Sequence, residues 1–149
     1  MRRGGSDMTI RPYTGWSGQR NVRLAAFSAD AGTTWSAPQA VPQLVDWGFA
    51  DEGSVSSDPP SKQLYFVHPD SHARANLTLY ASGDDGRSWR PQRTVYSGSA
   101  AYSDSKVLDP ASAQGNGTTV GVLFERDGYG KVSFARVRAD RADDLGARK

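Results

Sequence analysis

One eight-residue pattern occurs twice, and that repeat constrains the fold more than any other feature. Ser28-Ala29-Asp30-Ala31-Gly32-Thr33-Thr34-Trp35 returns as Ser82-Gly83-Asp84-Asp85-Gly86-Arg87-Ser88-Trp89. Both copies read Ser-x-Asp-x-Gly-x-(Thr or Ser)-Trp. Each follows a strand-like run, Arg23-Leu24-Ala25-Ala26-Phe27 or Asn76-Leu77-Thr78-Leu79-Tyr80, and each precedes an extended segment ending in Pro and Gln. An Asp two residues before a Gly suits a tight hairpin. Its carboxylate accepts N–H groups of its own turn, and the Gly takes the φ > 0 position that a Cβ would penalise. The Ser and Thr hydroxyls can satisfy further turn groups, and the Trp ring can fold back onto the strand face. The pattern is therefore a structural device, and Asp30 and Asp84 are expected to serve their turns rather than a metal or a reaction.

A strand-rich unit with a fixed turn signature, recurring every 40–50 residues or so, points to a β-propeller. About ten strands are expected, at 8–12, 20–28, 35–41, 52–57, 63–68, 76–82, 89–97, 101–109, 118–125 and 131–139. The stretch 44–51 reads as a loop. Grouped by the turn signature, 52–97 makes one complete four-stranded blade and 101–139 makes three strands. The first group lacks its opening strand. The expected fold is all-β: a partial propeller of two and a half to three blades, where about four or more are usual. Such a chain begins partway through a blade, leaves strand edges open at both ends, and reads as a fragment. Residues 8–139 would be the propeller part, with 1–7 and 140–149 as flexible ends.

The totals narrow the function classes. A chain of 149 residues suits one domain, and 37% hydrophobic residues can supply a β-protein core. Eighteen basic and sixteen acidic residues leave a formal charge of +2. The arginines are scattered, so no nucleic-acid stripe is expected. The absence of cysteine excludes disulfides, zinc fingers and thiol chemistry. No run approaches the roughly 18 apolar residues of a membrane span. Met1-Arg2-Arg3 resembles the start of a signal peptide, but no apolar segment follows, so no export signal is read in the chain as it stands.

More specific motifs follow the second box. Ala100-Ala101-Tyr102-Ser103-Asp104 is followed by Gly121-Val122-Leu123-Phe124-Glu125-Arg126. Together with the duplicated Asp-box, these stretches resemble the C-terminal half of the non-viral sialidases (neuraminidases), glycoside hydrolases built on a six-bladed propeller. There a Tyr-Ser-Asp strand carries the nucleophile, and a Leu-aromatic-Glu strand follows. The stretch from His68 through Arg74 to Leu77 resembles the family segment that holds one arginine of its triad. Thr9-Ile10-Arg11-Pro12-Tyr13 resembles the segment ending in the preceding triad arginine.

The resemblance implies an exo-α-sialidase, retaining, acting on terminal sialic acids of a glycan or glycoconjugate, with no cofactor or metal. Tyr102 would be the nucleophile, Arg74 and Arg11 would bind the substrate carboxylate, and Glu125 would orient the first triad arginine. The chemistry suits those types. A planar guanidinium grips a carboxylate through a fixed fork of donors. A neutral phenol avoids the repulsion that an anionic nucleophile would meet, and sialidases are the tyrosine exception among glycosidases. A phenol also needs a neighbouring base.

The departures are as informative. The family's first triad arginine, its acid/base aspartate and the glutamate that activates the tyrosine have no counterpart within these 149 residues. Missing N-terminal blades are thus a possible partner, and the isolated chain is expected to be inactive. Secretion or the cell surface is what the resemblance implies for the full-length family. Arg20 and Arg23 are weaker rivals to Arg11. Glu52 is set aside as the base, because its segment resembles a different family strand start. The alternative reading is a non-catalytic Asp-box propeller piece that binds glycan or protein. His68 with His72 makes a poor zinc site, and Asp104, Asp109 and Asp127 are read as turn and strand-end residues rather than calcium ligands. Gly115-Asn116-Gly117 and Gly128-Tyr129-Gly130 read as hairpin turns.

Overall fold

Short alternating runs punctuated by Gly, Pro and Asp turns fold here into antiparallel strands in sequence order. The computed structural model describes residues 6–10 (backbone only), 22–46, 52–71, 73–110 and 117–140. Among the described residues there are nine strands and no helix. They are β1 (Ser6–Ile10), β2 (Val22–Ser28), β3 (Gln39–Val45), β4 (Ser54–Asp58), β5 (Gln63–Pro69), β6 (Ala75–Ser82), β7 (Arg90–Asp109), β8 (Thr118–Arg126) and β9 (Lys131–Ala139). One sheet runs β1-β2-β3 and the other β4-β5-β6-β7-β8-β9.

The long strand β7 serves two blades. From Arg90 to Ser99 it is the outer strand beside β6; from Ala100 to Asp109 it pairs with β8. The sequence suggests two strands with a break, at 89–97 and 101–109. The structure joins them and bends the chain through bulges instead, between Ala75 and Leu77 opposite and between Ala100 and Ser103 within β7. The middle blade has four strands and the last has three. The inner strands of these two blades lie side by side: Ser54 Oγ donates to Asp104 Oδ1 (3.0 Å) and accepts from the Ser105 amide (2.9 Å).

A second correction concerns the return strand of the first blade, expected at 35–41 and observed as Gln39–Val45. The first turn recruits Trp35, and residues 35–38 carry no strand pairing. Pro42 is tolerated because β3 is an edge strand in this sheet. Leu44, expected in a loop, is fully buried.

Blades stack face to face, and the core sits between them. Ala25, Val41 and Leu44 of the first sheet meet Phe66, Tyr80 and Trp89 of the middle blade. On its other side, Tyr65, Val67, Leu77 and Leu79 meet Val120, Val122, Phe124 and Val137. β5 feeds both layers, since successive side chains point to opposite faces. That explains its nearly unbroken run of buried residues.

The two Asp-box turns are near copies. Ser28 Oγ accepts from the Gly32 amide (2.8 Å) and donates to Asp30 Oδ1 (2.8 Å); Asp30 accepts from the Thr34 amide (2.8 Å) and hydroxyl (2.7 Å). In the second box, Ser82 accepts from Gly86 (2.9 Å) and Asp84 from the Ser88 amide (2.9 Å) and hydroxyl (2.6 Å). Trp35 and Trp89 each donate Nε1–H to the Gly carbonyl three residues back, at 3.0 Å. The Thr34 and Ser28 bonds hold the Asp30 carboxyl down at about 2. Burial pushes Asp84 up, but bonds from Ser88 and Ser82 outweigh it and hold that carboxyl below its ordinary value. The glycines have φ of 84° and 83°, and the residues before them, Ala31 and Asp85, are left-handed too, at 55° and 60°. Two successive left-handed residues are the signature of a type I′ hairpin turn.

Candidate active site

Strand direction places the boxes and the candidate site at opposite ends of the blades. The boxes join β2 to β3 and β6 to β7, whereas Arg74 lies on the β5–β6 connection and Tyr102 near the start of the inner half of β7. The bulge between Ala100 and Ser103 releases Tyr102 from regular pairing, and its side chain is 43% exposed. Ser103 pairs with Phe124, which brings Glu125 beside Tyr102 on the same face. A recess of about 290 Å³ opens there, lined by Glu52, Tyr102, Ser103, Asp104 and Glu125, with Leu123, Phe124 and Val132 as its apolar wall.

Arg74 reaches the Tyr102 ring because its loop is tightly tied. Ser71 Oγ accepts from the Ala73 amide (3.2 Å) and donates to the carbonyl of Ala73. Asn76, at φ 58°, donates its side-chain amide to the Asp70 carbonyl (3.0 Å). The Arg74 carbonyl accepts from the Ala100 amide at 2.9 Å, which fixes the loop to the start of the Tyr102 strand. The guanidinium then lies over the Tyr102 ring, 5.2 Å from its centroid, and over the Tyr129 ring at 5.9 Å. It also donates to the Tyr129 hydroxyl. A cation over a phenol face is attracted by the ring quadrupole, so the geometry is favourable in itself.

Three of the four site residues read from the sequence therefore come together: Tyr102, Glu125 and Arg74. Glu125 is half-buried, and its Oε2 is shielded from solvent with no hydrogen-bond partner. Arg11, like its rival Arg20, lies outside the described residues. Arg23 is elsewhere: buried between blades, 3.9 Å from Asp46 and over the Phe66 ring. Glu52, set aside on its sequence context, lines the same recess as Tyr102.

Tyr129 was not singled out by sequence reasoning. Its only signal is a bulky residue between two turn glycines, in Asp127-Gly128-Tyr129-Gly130. Asp104, Asp109 and Asp127, read as turn and strand-end residues, have separate partners: Asp104 with Ser54, Asp109 with Arg136, and Asp127 with Tyr96, Arg126 and Lys131. His68 is enclosed in the core, His72 lies outside the described residues, and so do Gly115 and Asn116.

Comparison with known proteins decides the family. Residues 6–121 match the family model described as a BNR repeat-like domain. The chain belongs to the BNR repeat-like family. Among solved structures, the intramolecular trans-sialidase of Ruminococcus gnavus, crystallised with oseltamivir carboxylate, superposes with a TM-score of 0.56 at 18% identity. The match covers 85% of this BNR chain and 29% of the trans-sialidase chain, so the likeness shows a partial propeller of sialidase type. No curated protein sequence matches.

Proposed function

We propose that this BNR chain carries the nucleophile-bearing part of an exo-α-sialidase. The observation that carries the reading is the Arg74 guanidinium held over the Tyr102 ring, with Glu125 and Glu52 lining the recess beside Tyr102. Arg74 would take the carboxylate of a terminal sialic acid through its fork of donors. Tyr102 Oη, losing its proton, would then attack the anomeric carbon and displace the aglycone, which leaves protonated, as the alcohol. Water would hydrolyse the glycosyl-tyrosine with net retention. The half-buried carboxylate of Glu125 is suited to a cationic partner, and in this reading it orients a further arginine from behind. The ligand class is a sialylated glycan or glycoconjugate.

Hydrolysis needs a base for the phenol proton and an acid for the leaving group. The motifs that resemble those groups are absent from these 149 residues. Loss of one proton-transfer group alone typically costs on the order of 10²–10⁴ in rate, so the purified polypeptide binds sialic acid but turns sialosides over negligibly.

Saturation-transfer NMR on the purified chain tests the binding half. N-acetylneuraminate shows transfer, its methyl ester shows little, and Arg74→Ala removes the difference. Equal transfer to acid and ester, or an Arg74→Ala response identical to the parent, overturns the assignment.

A further inference from the structure

The tip of the β8–β9 hairpin carries a strained conformation that burial of its side chain does not offset. Asp127, Gly128 and Tyr129 are three successive left-handed residues, with φ of 56°, 64° and 69°. Glycine adopts this region freely, whereas a bulky residue there is an outlier. Such strain persists where the surroundings over-determine it. Here they do: the Asp127 amide donates to the Ser99 carbonyl (3.0 Å), Tyr96 Oη donates to Asp127 (2.6 Å), and the Gly130 amide donates to the Asp127 carbonyl (3.2 Å). Burial is no compensation, because Tyr129 is 58% exposed. What the strained tip achieves is contact with Arg74, through its ring face and its hydroxyl.

We propose that Tyr129 is a positioning residue that clamps the Arg74 guanidinium against Tyr102 and so pre-sets it for a carboxylate. A long arginine side chain has much rotamer freedom to lose on binding a ligand. A guanidinium already held between two phenol rings has lost it beforehand, which leaves more of the interaction for the ligand. The identity of that ligand rests on the sialidase reading above; the clamp itself does not.

The test uses the full chain with Tyr129→Phe and Tyr129→Asn. Asparagine tolerates left-handed φ, so the strain it relieves offsets the lost Arg74 contacts, and Tyr129→Asn shifts the melting temperature by less than about 4 °C. It also weakens N-acetylneuraminate binding roughly three- to tenfold. In ligand-free spectra, the ring-current shifts of the Arg74 methylene protons shrink in Tyr129→Asn and persist in Tyr129→Phe. Arg74 shifts and affinity unchanged by Tyr129→Asn overturn the clamp, as does affinity lost in Tyr129→Asn while the Arg74 shifts stay as in the parent. If the parent chain binds no N-acetylneuraminate while the Arg74 shifts still depend on Tyr129, the clamp stands and the sialic-acid assignment falls.

Discussion

A large share of this protein's loss of stability between pH 6.5 and pH 4 should come from one buried imidazole. His68 is fully buried on β5, between the Phe66 ring at 5.2 Å and the Tyr80 ring at 5.3 Å. Neither ring nitrogen meets a partner in good hydrogen-bond geometry. Burial first, and the charge of Arg23 second, hold its pKa at about 3, below the ordinary 6.5; a backbone interaction at Pro69 opposes them weakly. The other charged groups of this layer are Asp46, beside Arg23, and Asp70, which accepts from Tyr80 Oη at 2.7 Å.

The sign follows from proton counting. Below pH 6.5 the unfolded chain binds a proton at this histidine and the folded chain does not, so stability falls as pH falls. The contribution is complete above pH 6.5 and lost progressively down to about pH 3. At about 1.4 kcal/mol per pH unit, that is roughly 2 kcal/mol lost by pH 5 and roughly 3 by pH 4. A small domain has only about 5–15 kcal/mol in total, so the loss is a large share. Urea unfolding of the parent and of His68→Phe at pH 7.5, 6, 5 and 4 isolates the effect, because phenylalanine keeps an aromatic ring in the slot and does not titrate. The two stability curves should run parallel above pH 6.5 and diverge below it. Curves that stay parallel down to pH 4 would refute the reasoning.

Three further outcomes follow from the packing. Trp35 and Trp89 make the same hydrogen bond, but Trp35 is 40% exposed and Trp89 only 3%; Trp89→Ala should cost about 3–5 kcal/mol and Trp35→Ala about 1–2, and equal losses in urea unfolding would contradict the burial account. Ala31 carries a left-handed φ of 55° where the second box has Asp85, so Ala31→Asn should raise stability by about 0.5–1 kcal/mol in the same assay. Thr118 Oγ1 donates to Asp58 Oδ2 at 2.6 Å between two fully buried residues of adjacent blades; Thr118→Val should cost about 1–3 kcal/mol and Thr118→Ser much less, as read from denaturation midpoints.

Legibility from sequence tracked the distance over which each feature is built. The Asp-box lies within eight residues, and its hydrogen bonds follow from local chemistry, so its turn, its Gly φ and its Trp were all readable. The left-handed Ala31 was not, because nothing in an alanine announces it. Strand existence was readable from alternation, but boundaries shifted wherever a neighbour intervened. Trp35 was taken by the turn, and the two halves of β7 were joined by a bulge rather than a loop. His68 reads as one more residue of a strong strand, and only the stacking of two blades makes it a buried, neutral imidazole.

The site end of the blades shows the other limit. Arg74, Tyr102 and Glu125 were picked out by family-like motifs, but a motif carries no coordinates. Their convergence depends on a loop pinned to Ala100, a bulge that frees Tyr102 and a pairing register that sets Glu125 beside it. Glu52 joins Tyr102 in the recess from a strand start, and Tyr129 meets Arg74 from a hairpin tip, with no motif to mark either. The first two blades thus have one end written in a contiguous signature, and the opposite end is assembled from distant segments. The contiguous end can be repeated with its key residues kept because it only turns the chain. The assembled end is free to differ from blade to blade, and the residues proposed to bind and react lie there.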